Sequence, residues 1–329
     1  MLACLNTEMT IKTLIHRGHF SIIYKCEDTT GTTFALKILR AKLKFAKRYK
    51  GNILTELPII LSKSCCILEI INYFKSAGRF CFLSPYYPKT LAEALERNKR
   101  GFHIDLVKTL SRQLVAAVRT LTNNRIIHSD ISSAHILLSH KNDQLKLCGF
   151  DRANFDYRID HLTPSLSTPA YRAPEIILGY KISFAIDIWS TALVMFEMAT
   201  GQKLFAGYYN SDILYQQLNA LGPVDYEMLQ ESFYRDLHFH GMKFKRYINS
   251  KKWTYVLFTG TNDKLRYDLF LAYNRDWKWE RTSWQINQDL KKMQMLYNLL
   301  TQMLVLNPMQ RLPICFVGAS EFIDDIILT

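Results

Sequence analysis

No run of eighteen apolar residues occurs in this chain of 329, so no stretch reads as a helix long enough to cross a membrane. Seven cysteines, at positions 4, 26, 65, 66, 81, 148 and 315, follow no framework spacing and include no C-x-x-C pair. Their odd number and the absence of a signal-peptide pattern lead us to expect reduced thiols and a nuclear or cytoplasmic setting. There is no internal repeat and no low-complexity segment, and the opening residues are too few for a targeting tail. Negative charge is scarce as well. Against 42 Lys and Arg stand 29 Asp and Glu, a formal net charge of +13, and positions 37–50 hold seven basic residues and no acidic one. That excess favours acidic partners such as phosphorylated protein, acidic peptide or nucleic acid; the plainer reading is a solvated basic surface.

What is present suits a packed core. The chain is 48% hydrophobic and 13% aromatic, which argues a globular protein of one long domain or two lobes. Residues 10–18 and 22–27 read as two strands around a turn that holds Gly18. Phe34-Ala35-Leu36-Lys37 reads as a third strand, and 45–61 as a helix containing Glu56. A buried strand is expected over 80–83 and a connection over 84–87. Leu106, Leu110, Leu114, Ala117 and Leu121 recur at steps of four, four, three and four, the period of an amphipathic helix.

That helix leads to Ile127-His128-Ser129-Asp130-Ile131-Ser132-Ser133-Ala134-His135-Ile136-Leu137-Leu138. A short strand over 144–148 then delivers Gly149-Phe150-Asp151, nineteen residues after Asp130, and Tyr171-Arg172-Ala173-Pro174-Glu175 follows. An apolar helix is expected over 187–198 with Gly201 as its stop. Residues 222–282 read as irregular, with basic clusters among Trp253, Trp277 and Trp279; this is either an insert packing on its own lobe or a surface for RNA, the first being favoured. A last helix is expected over 290–306.

These strings, in this order and spacing, resemble the eukaryotic protein kinases over nearly the whole chain. Within that family they are similar to the pre-mRNA-processing splicing kinases, relatives of the dual-specificity tyrosine-regulated kinases. The likeness rests on Gly101-Phe102-His103-Ile104, on Leu145-Lys146-Leu147-Cys148, on Tyr171 to Gly179 and on Thr200 to Gly207. The resemblance implies an α+β, two-lobed protein kinase fold. A small β-rich N-lobe with one regulatory helix would span 1–84 and a large, mainly helical C-lobe 85–329. Together they would form a single domain of about 10–325 with an insert at about 222–282.

The resemblance also assigns roles. Asp130 takes the place of the general base. Gly18 is the one survivor of a glycine-rich phosphate loop, and Lys37 would meet the α- and β-phosphates while pairing with Glu56. Ile23, Ala35 and Leu137 would sandwich adenine. Glu175 would pair with Arg311, Asp187 would brace the catalytic loop, and Phe150, His128 and Ile60 would stack between the lobes. Ser165, Ser167 and Thr168 lie where relatives are phosphorylated, but Ser129 replaces the Arg that would hold such a phosphate.

The departures gather at one place. The two positions that would hold Mg²⁺ are His135 and Gly149, and the loop Lys is Ser132. A hard cation needs oxygen ligands, which neither a glycine nor an imidazole supplies. Asp151 is a doubtful substitute, because along an extended backbone it lies about 6–7 Å further on. The expectation is a pseudokinase acting as scaffold or allosteric partner of other proteins, spliceosomal or phosphorylated, with weak ATP binding to which Mg²⁺ adds little. Two alternatives stay open: an active serine/threonine kinase with an altered metal site, and a basic module binding RNA or phosphoprotein.

Overall fold

The alternation of the first hundred residues builds a six-stranded antiparallel sheet in the order β1-β2-β3-β4-β6-β5. Its strands are β1 Leu2–Cys4, β2 Thr7–Arg17, β3 Ser21–Asp28, β4 Thr33–Leu39, β5 Asn72–Ser76 and β6 Arg79–Pro85. In this computed structural model the described residues are 2–4, 7–18, 21–40, 64–156, 164–248, 252–258, 264–274 and 282–324. The helix expected over 45–61, with Glu56 and Ile60, lies outside them, as do Trp277 and Trp279.

Period-two geometry sorts the sheet's faces. Register pairs Ile23 with Lys37, Ala35 with Ser84 and Lys37 with Phe82. Ala35 and Lys37, two apart on β4, therefore share one face. Leu36 turns the other way into a small core with Met9, Cys26, Cys81 and Leu83.

From Pro85 the chain crosses to the second lobe. β7 (Lys89–Thr90) runs into α1 (Leu91–Arg97), where Thr90 and Glu93 close a capping box. α2 (Ile104–Asn123) buries Leu110, Leu114, Ala117 and Leu121 completely, as their spacing requires, while Leu106 is half-buried. Short strands β8 (Ile126–Ile127), β9 (Ile136–Leu138), β10 (Leu145–Leu147) and β11 (Asn154–Phe155) hold the loops that carry Asp130 and Gly149. They pair β10-β9-β7 and β11-β8.

Helices complete the lobe: α3 (Pro174–Leu178), α4 (Ala185–Thr200) and α5 (Asn210–Leu221), and near the end α9 (Ser283–Met303) and α10 (Ile314–Gly318). Every residue of α4 is buried, so it is the axis of the core, and Trp189 and Phe196 are among its largest buried side chains. Gly201 ends it at φ +70°, and a Cβ there would lie 2.3 Å from the carbonyl oxygen of Lys99. Only glycine fits that crossing.

The stretch expected to be irregular is not. It forms α6 (Tyr226–Gln230), α7 (Arg235–His238), a three-stranded sheet of β12 (Phe239–His240), β13 (Lys243–Ile248) and β14 (Lys252–Val256), and α8 (Lys264–Asn274). The basic cluster at 243–246 is one strand, with Phe244 pointing inward onto Phe239, Tyr215 and Phe258 at ring distances of 5.4, 6.0 and 6.1 Å. The charged letters around Phe244 mask its strand period. Phe239, Phe244, Leu265 and Leu269 all join the main core, so this segment packs on its own lobe.

Candidate functional site

Where β3, β4 and β6 face the loops around Asp130 and Gly149, the lobes enclose a cavity of about 530 Å³. That is the size of a nucleotide or other small-ligand pocket. Its lining includes Ile23, Ala35 and Leu137, and also Gly18, Lys37, Ser132, His135, Gly149, Asp151 and Thr168. Of the sequence-predicted site residues on the described segments all but Asp130 line this cavity, and Asp130 is bonded to one lining residue, Thr168. Glu56, the expected partner of Lys37, lies outside the described residues.

Backbone hydrogen bonds and burial fix the loop that carries Asp130. Asp187 accepts from the amides of His128 at 2.6 Å and Ser129 at 2.9 Å, bracing the turn as expected. Burial pushes the Asp187 carboxyl up to about 7, even against those two donors. His128 is fully buried, donates through Nε2 to the Cys148 carbonyl at 2.9 Å, and accepts at Nδ1 from the amide of Asp130. Desolvation, with His135 beside it, pushes this imidazole down to about 4, so it is neutral. Its ring meets Phe150 at 4.8 Å between centroids; Ile60, the third member of the expected inter-lobe stack, lies outside the described residues.

Gly149 stands at φ +84°, ψ +39°, and residues Phe150–Arg152 form a single 3-10 turn. The chain therefore turns here and does not follow an extended path. Asp151 is carried back into the pocket, and its Oδ2 accepts from Lys37 Nζ at 2.7 Å in a half-buried ion pair. The distance along the chain therefore does not keep Asp151 out of the pocket. The residue reaches the pocket, engaged with the lysine.

His135 fills the space beside Gly149. Its Nδ1 donates to the Asp130 carbonyl at 2.7 Å, which fixes the ring. A Cβ built on Gly149 would lie 2.5 Å from Cδ2 of that ring. The imidazole and the missing side chain are two halves of one packing arrangement. An Asp at 149 and a His at 135 cannot both occupy it unmoved.

Asp130 is engaged through both oxygens. Oδ1 accepts from the amide and the hydroxyl of Thr168, each at 2.7 Å, and Oδ2 lies 3.6 Å from Arg152 Nε and 3.8 Å from His135 Nδ1. Arg152 and Thr168 were not legible as partners of Asp130, since nothing in a string shows that the chain returns to it 22 and 38 residues later. The same fold answers the missing Arg at 129. Arg152 and Arg172 both donate to the Ser165 carbonyl, and Arg172 also donates to the carbonyls of Leu166 and Ser167. These bonds fasten residues 165–167 to the lobe.

The residues present do not fit a pair of Mg²⁺ ions. Gly149 has no ligand, His135 offers nitrogen, and the Asp151 carboxylate is paired with Lys37. Among the described residues the converging set of metal-ligand types is His103, Asp105 and Asp289, outside this pocket, where His103 is 3.4 Å from each carboxylate.

The protein kinase domain model matches residues 9–323. The chain is 31% identical over 235 residues to cyclin-dependent kinase-like 5 of Homo sapiens, covering 70% of this chain and 24% of that protein. It is 31% identical over 245 residues to the serine/threonine-protein kinase prp4 of Schizosaccharomyces pombe, covering 71% and 50%. It is also 29% identical over 248 residues to the dual specificity tyrosine-phosphorylation-regulated kinase 3 of Rattus norvegicus, covering 72% and 40%. The chain thus spans half or less of the length of these relatives.

Proposed function

This chain belongs to the protein kinase family, and from that premise we propose that it is a pseudokinase: it binds a nucleotide weakly, does not transfer phosphate, and acts by engaging other proteins. The observation that carries this reading is the packing of His135 into the space a side chain at 149 would need. Phosphoryl transfer is mostly positioning and charge neutralisation, with metal ions bridging the phosphates. Here Lys37 already has a carboxylate, and Asp130 already has Thr168 and Arg152. The apolar walls at Ile23, Ala35 and Leu137 remain to hold a base. The likeness to splicing kinases favours protein partners of that setting, phosphorylated ones suiting the +13 charge.

One observation favours a second reading. Asp151 does enter the pocket, so an active kinase with its metal on Asp151 is the competing account. A nucleotide titration followed by thermal shift separates the two. Saturating ligand at a hundredfold excess over Kd stabilises a fold by about 2.7 kcal/mol, which is readily seen. Asp151→Asn removes a negative charge and frees Lys37, so metal-free ATP should bind several-fold more tightly and Mg²⁺ should add little to either protein. A large Mg²⁺-dependent shift in the wild type that Asp151→Asn abolishes would establish the altered-metal kinase instead.

A further inference from the structure

Cys65 and Cys66 stand together just before the strand pair β5–β6, with their sulfurs 3.4 Å apart. Cys65 is exposed and Cys66 is buried. Their position links them to the site. The Cys66 carbonyl accepts from the Leu147 amide at 2.9 Å, and the Leu68 amide donates to the Leu147 carbonyl at 2.9 Å. Ile67 bridges to Leu147, the end of β10, two residues before Gly149. Lys146 Nζ donates to the Cys65 carbonyl.

We propose that Cys65 and Cys66 are a modification site, a vicinal dithiol that hydrogen peroxide closes to an intramolecular disulfide and a small dithiol reopens. The Cys65 sulfur, as thiolate, attacks one peroxide oxygen. The O–O bond breaks, hydroxide leaves and is protonated to water, and Cys65 becomes a sulfenic acid. The Cys66 sulfur gives up its proton and attacks the Cys65 sulfur. The S–S bond forms, the S–O bond breaks, and the departing hydroxide takes that proton as a second water. Two thiols lose two electrons and two protons, and one peroxide accepts them.

The division of roles follows exposure. Peroxide meets Cys65 first, whereas burial pushes the Cys66 thiol up to about 11 and keeps it protonated until its partner is activated. Closure must bring the sulfurs from 3.4 Å to about 2.05 Å across one trans peptide. Neighbouring Cα atoms sit about 3.8 Å apart across such a peptide, shorter than the roughly 4.4–6.8 Å of relaxed bridges. The bond is therefore strained and easily reduced, which suits reversible modification. It also pulls on the carbonyl that anchors Leu147.

The test is peptide mapping after peroxide treatment of the whole folded protein, with Cys315 as an exposed reference thiol. The tryptic peptide Ser64–Lys75 should become lighter by two hydrogen atoms, and dithiothreitol should restore it. Cys66→Ser should leave a sulfenic acid on Cys65 that dimedone traps, and Cys65→Ser, a change at an exposed position, should leave Cys66 reduced. Oxidation of Cys65 to the sulfinic acid with Cys66 untouched, or a bridge between two molecules, would overturn the proposal. So would an unchanged peptide beside an oxidised Cys315. Closure equally fast in the urea-unfolded chain would overturn the claim that the fold sets the pair.

Discussion

Gly149 and His135 are the two residues on which the account turns, and each explains the other. A left-handed φ is tolerated by Asp better than by most residues, so the backbone alone does not require glycine at 149. The imidazole 2.5 Å from the missing Cβ does. Gly149→Asp alone should therefore destabilise the fold by about 1–3 kcal/mol, the usual cost of overpacking. Adding His135→Asn should recover most of it, because the smaller side chain vacates the space. Denaturant unfolding of the four proteins of this cycle measures the coupling directly. Strictly additive effects would mean that the two positions are independent and that the glycine has another cause.

At the scale of elements, the described parts of the activation segment, 149–156 and 164–175, are anchored to the lobe by buried polar contacts. Glu175 and Arg311 are both completely buried, 2.6 and 3.0 Å apart at their paired atoms, and tie α3 to the loop after α9. Arg311→Leu leaves an unpaired buried carboxylate and should cost about 3–5 kcal/mol in unfolding free energy, while adding Glu175→Leu should return much of it. Arg172→Met removes the donors to Leu166 and Ser167 and should speed amide exchange over 166–168 with the rest of the lobe unchanged. Uniform speeding would point to global loosening instead. The pairing of Glu175 with Arg311 was legible because each is a fixed letter in a long string with known spacing, whereas the bonds of Arg172 were not. The helices were legible too, because their apolar period survives the surrounding charge, as at Leu110, Leu114 and Leu121. The strand at 243–248 was not legible, because one inward phenylalanine among basic residues carries too weak a period. Nor was the turn at Gly149, since a sequence gives order along the chain and not the direction in which Asp151 returns. The contact of Arg152 and Thr168 with Asp130 is tertiary, and no local rule contains it.

The whole molecule has a stability profile that its buried titrating groups set. His128 and His238 are both pushed down to about 4 by burial, so the unfolded chain, with imidazoles near 6.5, binds about two more protons between those values. Asp187, pushed up to about 7, works in the opposite sense and returns about one proton to the fold. The buried Glu197 carboxyl, also raised by burial, works in the same sense as Asp187. The histidine contribution to stability is lost as pH falls from 6.5 toward 4, and His238→Asn should remove about half of it. An unchanged loss in that variant would remove His238 from the explanation. The pseudokinase proposal rests on the pocket itself, where Asp130 is present while His135 and Gly149 stand at the two metal positions. General-base help is worth roughly 10²–10⁴-fold, but only against a phosphate already held in line. The direct measurement is radiolabelled phosphate transfer from ATP to a peptide, with Mg²⁺ and with Mn²⁺. Wild type and Asp130→Ala are compared with the fourfold variant Ser132→Lys, His135→Asn, Gly149→Asp and Asp151→Gly. Wild type should stay at background, Asp130→Ala should show no further loss, and only the fourfold variant should give measurable transfer, since parts of one phosphate site act as a unit. Transfer by the wild type that Asp130→Ala abolishes would contradict the pseudokinase proposal.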